Sequence, residues 1–272
     1  GVDKAGDEGP LHLPDTATCV KCHQKPHDNR TCSNCHGTPG TVVDLTDALS
    51  ANMRRRAERD RGPGGWAARL ESVRLARLER AICSRRDLVT VVSEADRAAL
   101  GDFPSLRLNP NGVDPEAFGP APWPRPERAI LSGNLGYFPN VDAAVWLARE
   151  VWPRVRAQRP AAELVLAGDR PARLVRALAR PGSGIHVTGR VPDLAAEIGR
   201  ARVAVAPLRA GSGQQLKVLE ALACATPVVA MPLAAAGLPG DTRQGLLVAD
   251  SAEDLAVRLQ ELLSDPARAE AL

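Results

Sequence analysis

The chain is 272 residues long, 44% hydrophobic and 25% charged, with only 3% aromatics, so its core has to be built mostly from Ala, Val and Leu. A net charge of +3 without a dense basic block excludes nucleic acid as an expected partner, and no apolar run approaches the roughly 18 residues that span a bilayer. The length allows one large domain or two small ones, and a start at Gly1 without a leader-like pattern reads as a processed product or a fragment.

Rare residues crowd into the first 40 positions. Cys19, Cys22, Cys32 and Cys35 are four of the six cysteines, and His12, His23, His27 and His36 are four of the five histidines. Lys4, Lys21 and Lys25 are three of the four lysines, whereas basic residues elsewhere are nearly all Arg. Residues 1–40 therefore read as a separate Cys/His-rich module. Cys19-Val-Lys-Cys22-His23 and Cys32-Ser-Asn-Cys35-His36 are two C-x-x-C-H units, in which two thiols suit the vinyl groups of a c-type haem and the adjacent imidazole suits its iron. With His12 and His27 as distal ligands, the set accommodates two haems. The segment resembles short multihaem cytochrome modules, including the magnetochrome type. Zinc is the rival reading, because the same four thiolates could make a tetrahedral site. Two disulfides or four free thiols in a tail are the third.

In the next stretch, 42–45 reads as a short apolar strand. From Trp66 to Ile82, Leu70, Val73, Leu75, Leu78 and Ile82 recur at helical spacing between Arg and Glu, which predicts an amphipathic helix. Its Arg-rich face reads as solvated, with peripheral contact to an acidic membrane as the alternative. Residues 88–92 form a buried strand, Ser93 caps a following helix, Asn111 to Asp114 make a turn, and 120–126 is a Pro-rich linker. Strand, V-S-E-A-D-R helix, N-P-N-G-V-D turn and linker together resemble the end of the N-terminal domain of family 4-like GT-B glycosyltransferases. The likeness extends to the sugar transferases associated with exosortase (PEP-CTERM) polysaccharide systems, where a segment like VDLTDALSANMRRRA precedes a long basic helix.

From 128 to 265 strands and helices alternate. Strands are expected at 129–132, 163–167, 186–188, 203–207, 227–230 and 246–248, with helices at 141–157, 171–179, 194–200, 215–223 and 252–263. Short apolar strands between helices predict an α/β fold, a Rossmann-like parallel sheet covered by helices on both faces. Ligands of such sheets bind beyond the strand C-termini. Three loops there carry small residues: Ser132-Gly133-Asn134, Ala167-Gly168-Asp169, and the run from Gly211 through Gly213 into Lys217 and Glu220. The last opens a helix whose free N–H groups and dipole suit an anion, and Lys217 and Glu220, three apart, share a face. Lys217 is the one lysine after residue 25 in a chain with 31 Arg, a bias that argues for a task only an ammonium serves.

The same run resembles the L-E-A-x-A motif of these glycosyltransferases. The resemblance implies that Lys217 binds the donor diphosphate, that Glu220 holds the ribose hydroxyls, and that Gly133, Asn134, Arg209, Gly211 and Gly213 line the donor. Where an E-x7-E motif carries its first Glu, this chain has Ser212. Cys224 reads as a packing thiol.

The domain reading is a Cys/His-rich module at 1–40, the remnant of a GT-B N-terminal domain and linker at 41–127, a nucleotide-sugar-binding domain at 128–265 and a tail at 266–272. The expected activity is retaining transfer from a nucleoside-diphosphate sugar to a glycan or lipid-linked acceptor, or donor binding by an inactive remnant. Electron transfer by a di-haem module and a non-catalytic binding module are the alternatives. No catalytic residue is assigned. Nucleotide sugars imply a cytoplasmic location and haem c a periplasmic one.

Overall fold

The computed structural model describes residues 41–60, 62–238 and 244–272. The Cys/His-rich module and its expected ligands lie outside the described residues.

Two parallel sheets carry the fold. The smaller has three strands in the order β1 (Val42–Thr46), β2 (Leu88–Val91) and β3 (Leu106–Leu108). Between its first two strands run α1 (Leu49–Arg59) and α2 (Pro63–Arg85), and α3 (Glu94–Leu100) follows β2. The Ser93 hydroxyl accepts from the Asp96 backbone N–H at 3.1 Å, the expected N-cap. α1 is absent from the sequence reading because its MRRRAER stretch shows no apolar period. It is held by packing against α2 and by the carboxylate of Glu79, which accepts from the Ser50 N–H at 3.0 Å and hydroxyl at 2.5 Å.

The larger sheet has six strands, all parallel: β4 (Arg128–Ser132), β5 (Glu163–Ala167), β6 (Ile185–Gly189), β7 (Val203–Ala206), β8 (Val228–Ala230) and β9 (Leu246–Val248). Their spatial order is β6-β5-β4-β7-β8-β9. The chain thus winds outward in one direction, returns to the centre, and winds outward in the other. Strand stretches such as LVLA and VAVA are buried along nearly their full length, the pattern of a sheet covered on both faces. The covering helices are α4 (Phe138–Trp146), α5 (Trp152–Gln158), α6 (Arg173–Arg176), α7 (Leu194–Gly199), α8 (Leu216–Ala223), α9 (Pro232–Ala236), α10 (Ala252–Ser264) and α11 (Pro266–Ala271).

The helix expected at 141–157 is α4 and α5 joined by a π-turn over Leu147–Val151. Pro153 sits in the first turn of α5 and has no N–H for the carbonyl four residues back, so the widened turn absorbs the missing bond. The expected helix at 171–179 is only α6, after which backbone bonds close over three residues, as from Leu178 to Val175. Residues 266–271, read as tail, are helical, and Ala269 is 1% exposed.

Candidate functional site

β4 and β7 are neighbours at the point where the strand order reverses. They pair only at Ala129–Val203 and Ile130–Ala204, so their C-terminal ends diverge and open a crevice, the usual ligand position in such a sheet. The loop after β4 forms one wall and the loop after β7 the other.

On the β4 side, Gly133 has φ +136°, and its N–H donates to Ala167 O at 3.0 Å. A Cβ on it would stand 3.0 Å from Asn140 Nδ2 and 3.3 Å from Lys217 Cε, so the loop lies directly against those two side chains. Gly168 at the end of β5 is more constrained: at φ +152°, a Cβ there would stand 1.6 Å from Gly133 O. Asn134 turns inward on its own loop, its Oδ1 accepting from Gly136 N at 3.0 Å. It shapes the turn.

On the β7 side, Gly211 and Gly213 have φ +127° and +72°. They carry the chain into α8, whose N-cap makes no side-chain hydrogen bond; Val218 N bonds Gln215 O at 2.9 Å, while the Leu216 and Lys217 N–H groups have no partner among the described residues. Lys217, half-buried in this first turn, donates from Nζ to Asn140 Oδ1 at 2.5 Å. The bond joins the helix after β4 to the helix after β7 across the crevice. Loss of solvation lowers the Lys217 pKa to about 8, with nearby Glu220 opposing the shift. Burial raises the Glu220 carboxyl and Lys217 opposes it. The two form a coupled pair on one helix face.

Arg209 is turned elsewhere. Its guanidinium grips Asp142 through two hydrogen bonds, at 3.1 and 2.6 Å, and lies 5.0 Å from the Trp146 ring centroid. The structure brings together Gly133, Gly211, Lys217 and the face bearing Glu220, and leaves Arg209 outside that group.

Four residues that sequence reasoning passed over complete the site. Asn140 is 7% exposed and donates from Nδ2 to Asn134 O at 2.9 Å, which fixes its Oδ1 toward Lys217. An Asn in the first turn of a helix whose other residues except Asp142 are apolar was the signal for it. Asp47, just beyond β1, accepts from the Ser212 hydroxyl at 2.5 Å. Burial, with Asp96 and Glu79 adding to it, raises its pKa from 3.8. Asp96 accepts from Ala48 N at 3.0 Å and Gly213 N at 3.2 Å. Gln214 accepts from Asn111 N at 2.7 Å, which fixes its amide orientation. Its Nε2 is then buried without an acceptor among the described residues, a donor open to a ligand or a water. Cys224 is fully buried, a packing thiol as expected. Among the described residues no three His, Cys, Asp or Glu side chains form a metal site.

A doubly wound parallel sheet with glycine loops and one lysine at its reversal is a Rossmann-like architecture, whose ligands sit where the strand order reverses. The chain belongs to the glycosyl transferases group 1 family, whose pattern matches residues 127–265. Solved structures of similar fold include WaaG, a glycosyltransferase involved in lipopolysaccharide biosynthesis, at 15% identity and TM-score 0.63 over 91% of this chain and 77% of WaaG. Anabaena HepE in complex with UDP and glucose superposes at TM-score 0.62 and 16% identity, over 89% of this chain and 68% of HepE. A mutant of S. aureus TarM in complex with Fondaparinux, alpha-GlcNAc-glycerol and UDP gives TM-score 0.60 and 16% identity over 73% of this chain. The chain spans only 41% of TarM. These likenesses show the GT-B fold of parallel sheets flanked by helices. No curated protein sequence matches the chain.

Proposed function

We propose that this chain binds a nucleoside-diphosphate sugar in the β4–β7 crevice, as the donor side of a retaining hexosyltransferase that builds a polysaccharide or related glycan. The observation that carries the reading is Lys217: the one lysine of the described chain, set between two glycine loops and bonded across the strand reversal to Asn140. Its ammonium neutralises diphosphate charge, and charge on the departing diphosphate grows as the sugar bond breaks, so the same group would favour transfer. Free N–H groups of α8 suit the phosphate oxygens, and the missing side chains of Gly133 and Gly211 leave room for them to approach. Glu220 suits two ribose hydroxyls as acceptor of both protons. HepE and TarM in complex with UDP support a uridine nucleotide as the first ligand to try. A glycan or lipid-linked acceptor, an exosortase-linked polysaccharide system and a cytoplasmic location complete the proposal.

Isothermal titration with UDP, GDP and their sugars tests it. Saturable binding of one nucleotide, weakened at least tenfold in Lys217→Ala, is the expected result. Absence of binding to any of them, or unchanged affinity in the variant, sinks it.

A second reading concerns residues 1–40. Two C-x-x-C-H units within twenty residues favour covalent haem and electron transfer, with zinc as the alternative metal. A Soret band with a sharp reduced-state band supports haem and a periplasmic location for that module, whereas a colourless, zinc-loaded chain removes both.

A further inference from the structure

The outward face of α2 joins two features usually kept apart on a soluble surface. Gly65, Ala68, Glu79 and Cys83 are buried. On the opposite side, at spacings of four and three, Trp66, Leu70 and Val73 are 69%, 47% and 50% exposed. One turn on, the same face continues with exposed Arg77 and Arg80. α1 and α2 together carry nine Arg against three Glu. Of those acids, Glu79 is buried and occupied by Ser50, and Glu71 meets Arg74 only at 3.9 Å.

Beside Val73, Arg54, Arg77 and Arg80 line a groove of about 300 Å³ with Ser50, Ser72 and the Glu79 carboxylate that Ser50 engages. None of these three guanidinium groups is in an ion pair among the described residues. The groove is lined by α1, α2 and α3, not by the loops after β4 and β7.

We infer that this face docks on an anionic phospholipid bilayer, with headgroup phosphates in the Arg54–Arg77–Arg80 groove and Trp66, Leu70 and Val73 at the acyl boundary. Guanidinium groups recognise phosphate through charge-assisted bonds. An apolar stripe beside them, headed by a Trp, matches the border between headgroups and chains. A nucleic acid would use the arginines but leave the Trp66 stripe in water. No described helix is long and apolar enough to cross a membrane, so α2 lies in the plane of the surface. The inference rests on this helix and groove, not on the donor-site reading.

Co-sedimentation of the full chain with phosphatidylcholine vesicles, with and without about 30 mol% phosphatidylglycerol, tests it. Expected are binding to the anionic vesicles only, loss of binding at high salt, and a blue shift of Trp fluorescence that Trp66→Ser abolishes. Replacing Arg54, Arg77 and Arg80 together by Gln is expected to weaken binding roughly a hundredfold. Trp66→Ser with Leu70→Ser weakens it independently, and circular dichroism checks that both variants fold. Failure of the wild-type chain to bind anionic vesicles overturns the inference. So does equal binding to neutral vesicles, or wild-type affinity in both variants. Retention of inorganic phosphate or of a protein partner without vesicle binding also overturns it.

Discussion

With a pKa near 8 in the free protein, Lys217 is charged at neutral pH but close to the edge of its range. A bound diphosphate is an opposite charge and raises that pKa. By linkage, the affinity of UDP is then full below pH 8 and falls above it, as the free protein loses the proton that the complex keeps. Titrations from about pH 7 to about pH 9 are expected to show this decline in the wild type and not in Lys217→Gln. A flat profile in both would remove Lys217 from the diphosphate. The same shift acts on folding. The unfolded chain binds the proton more tightly, so this group's contribution makes stability rise with pH between about 8 and 10.5. Gly168 offers a second test at this scale. An added Cβ meets Gly133 O at 1.6 Å, and moving Gly133 moves the wall that faces Lys217. Gly168→Ala is expected to cost about 2–4 kcal/mol in urea denaturation and to weaken UDP binding. Gly182→Ala, also at positive φ but with nothing within 4 Å, should cost only about 1 kcal/mol and leave binding unchanged.

At the level of elements, the Pro-rich stretch 120–126 is tied down rather than loose. Arg125, 3% exposed, donates to the carbonyls of Ala121 at 2.8 Å, Ala201 at 3.2 Å and Cys224 at 3.0 Å, and to the Thr226 hydroxyl at 2.6 Å. Its guanidinium also lies 4.3 Å from the Trp123 ring centroid. Arg125→Ala leaves those buried acceptors without a donor, and thermal or urea unfolding is expected to show a loss of about 2–4 kcal/mol. Arg125→Lys should recover only part, since one ammonium cannot reach all four acceptors. This clamp was not legible in the sequence, where Pro120 to Pro126 reads as a spacer, because three of its four partners are 76 to 101 residues away. The larger sheet was legible, since runs such as ELVLA and VAVA between helices fit little else. The glycine loops were legible for the same local reason, and β5 and β9 fall at the expected residues. Local pattern failed where tertiary contacts decide. α1 is stabilised from outside, β3 is three residues with one buried side chain, and the pairing of Arg209 with Asp142 spans 67 residues.

For the molecule as a whole, the question is what joins the two sheets. Each has its own apolar cluster: one runs through the six-stranded sheet, and a much smaller one is centred on Val89, Val91, Leu100 and Leu106. Between them, the loop 209–215 is held by polar bonds from the smaller side. Asp47 takes the Ser212 hydroxyl, Asp96 takes Gly213 N, Arg55 donates to Gly211 O and Arg59 donates to Arg209 O at 2.7 Å. Asp96 is the centre of this clasp, because it also fixes Ala48 N beside Asp47 and is 2% exposed. A small cluster on its own is marginal, so the clasp is expected to make the two halves unfold together. Asp96→Ala should then split urea denaturation into two transitions, with the early one in the 41–108 region, reported by proteolysis within α2. Asp47→Asn is the contrasting variant, since an amide oxygen still accepts from Ser212. The raised carboxyl pKa of Asp47 means that the folded state keeps its proton to higher pH than the unfolded chain. Its contribution therefore lowers stability as pH rises above 3.8 through the native value. Asp47→Asn should remove that slope while keeping a single transition. A single transition in Asp96→Ala would show instead that apolar packing, not the clasp, couples the donor loop to the smaller sheet.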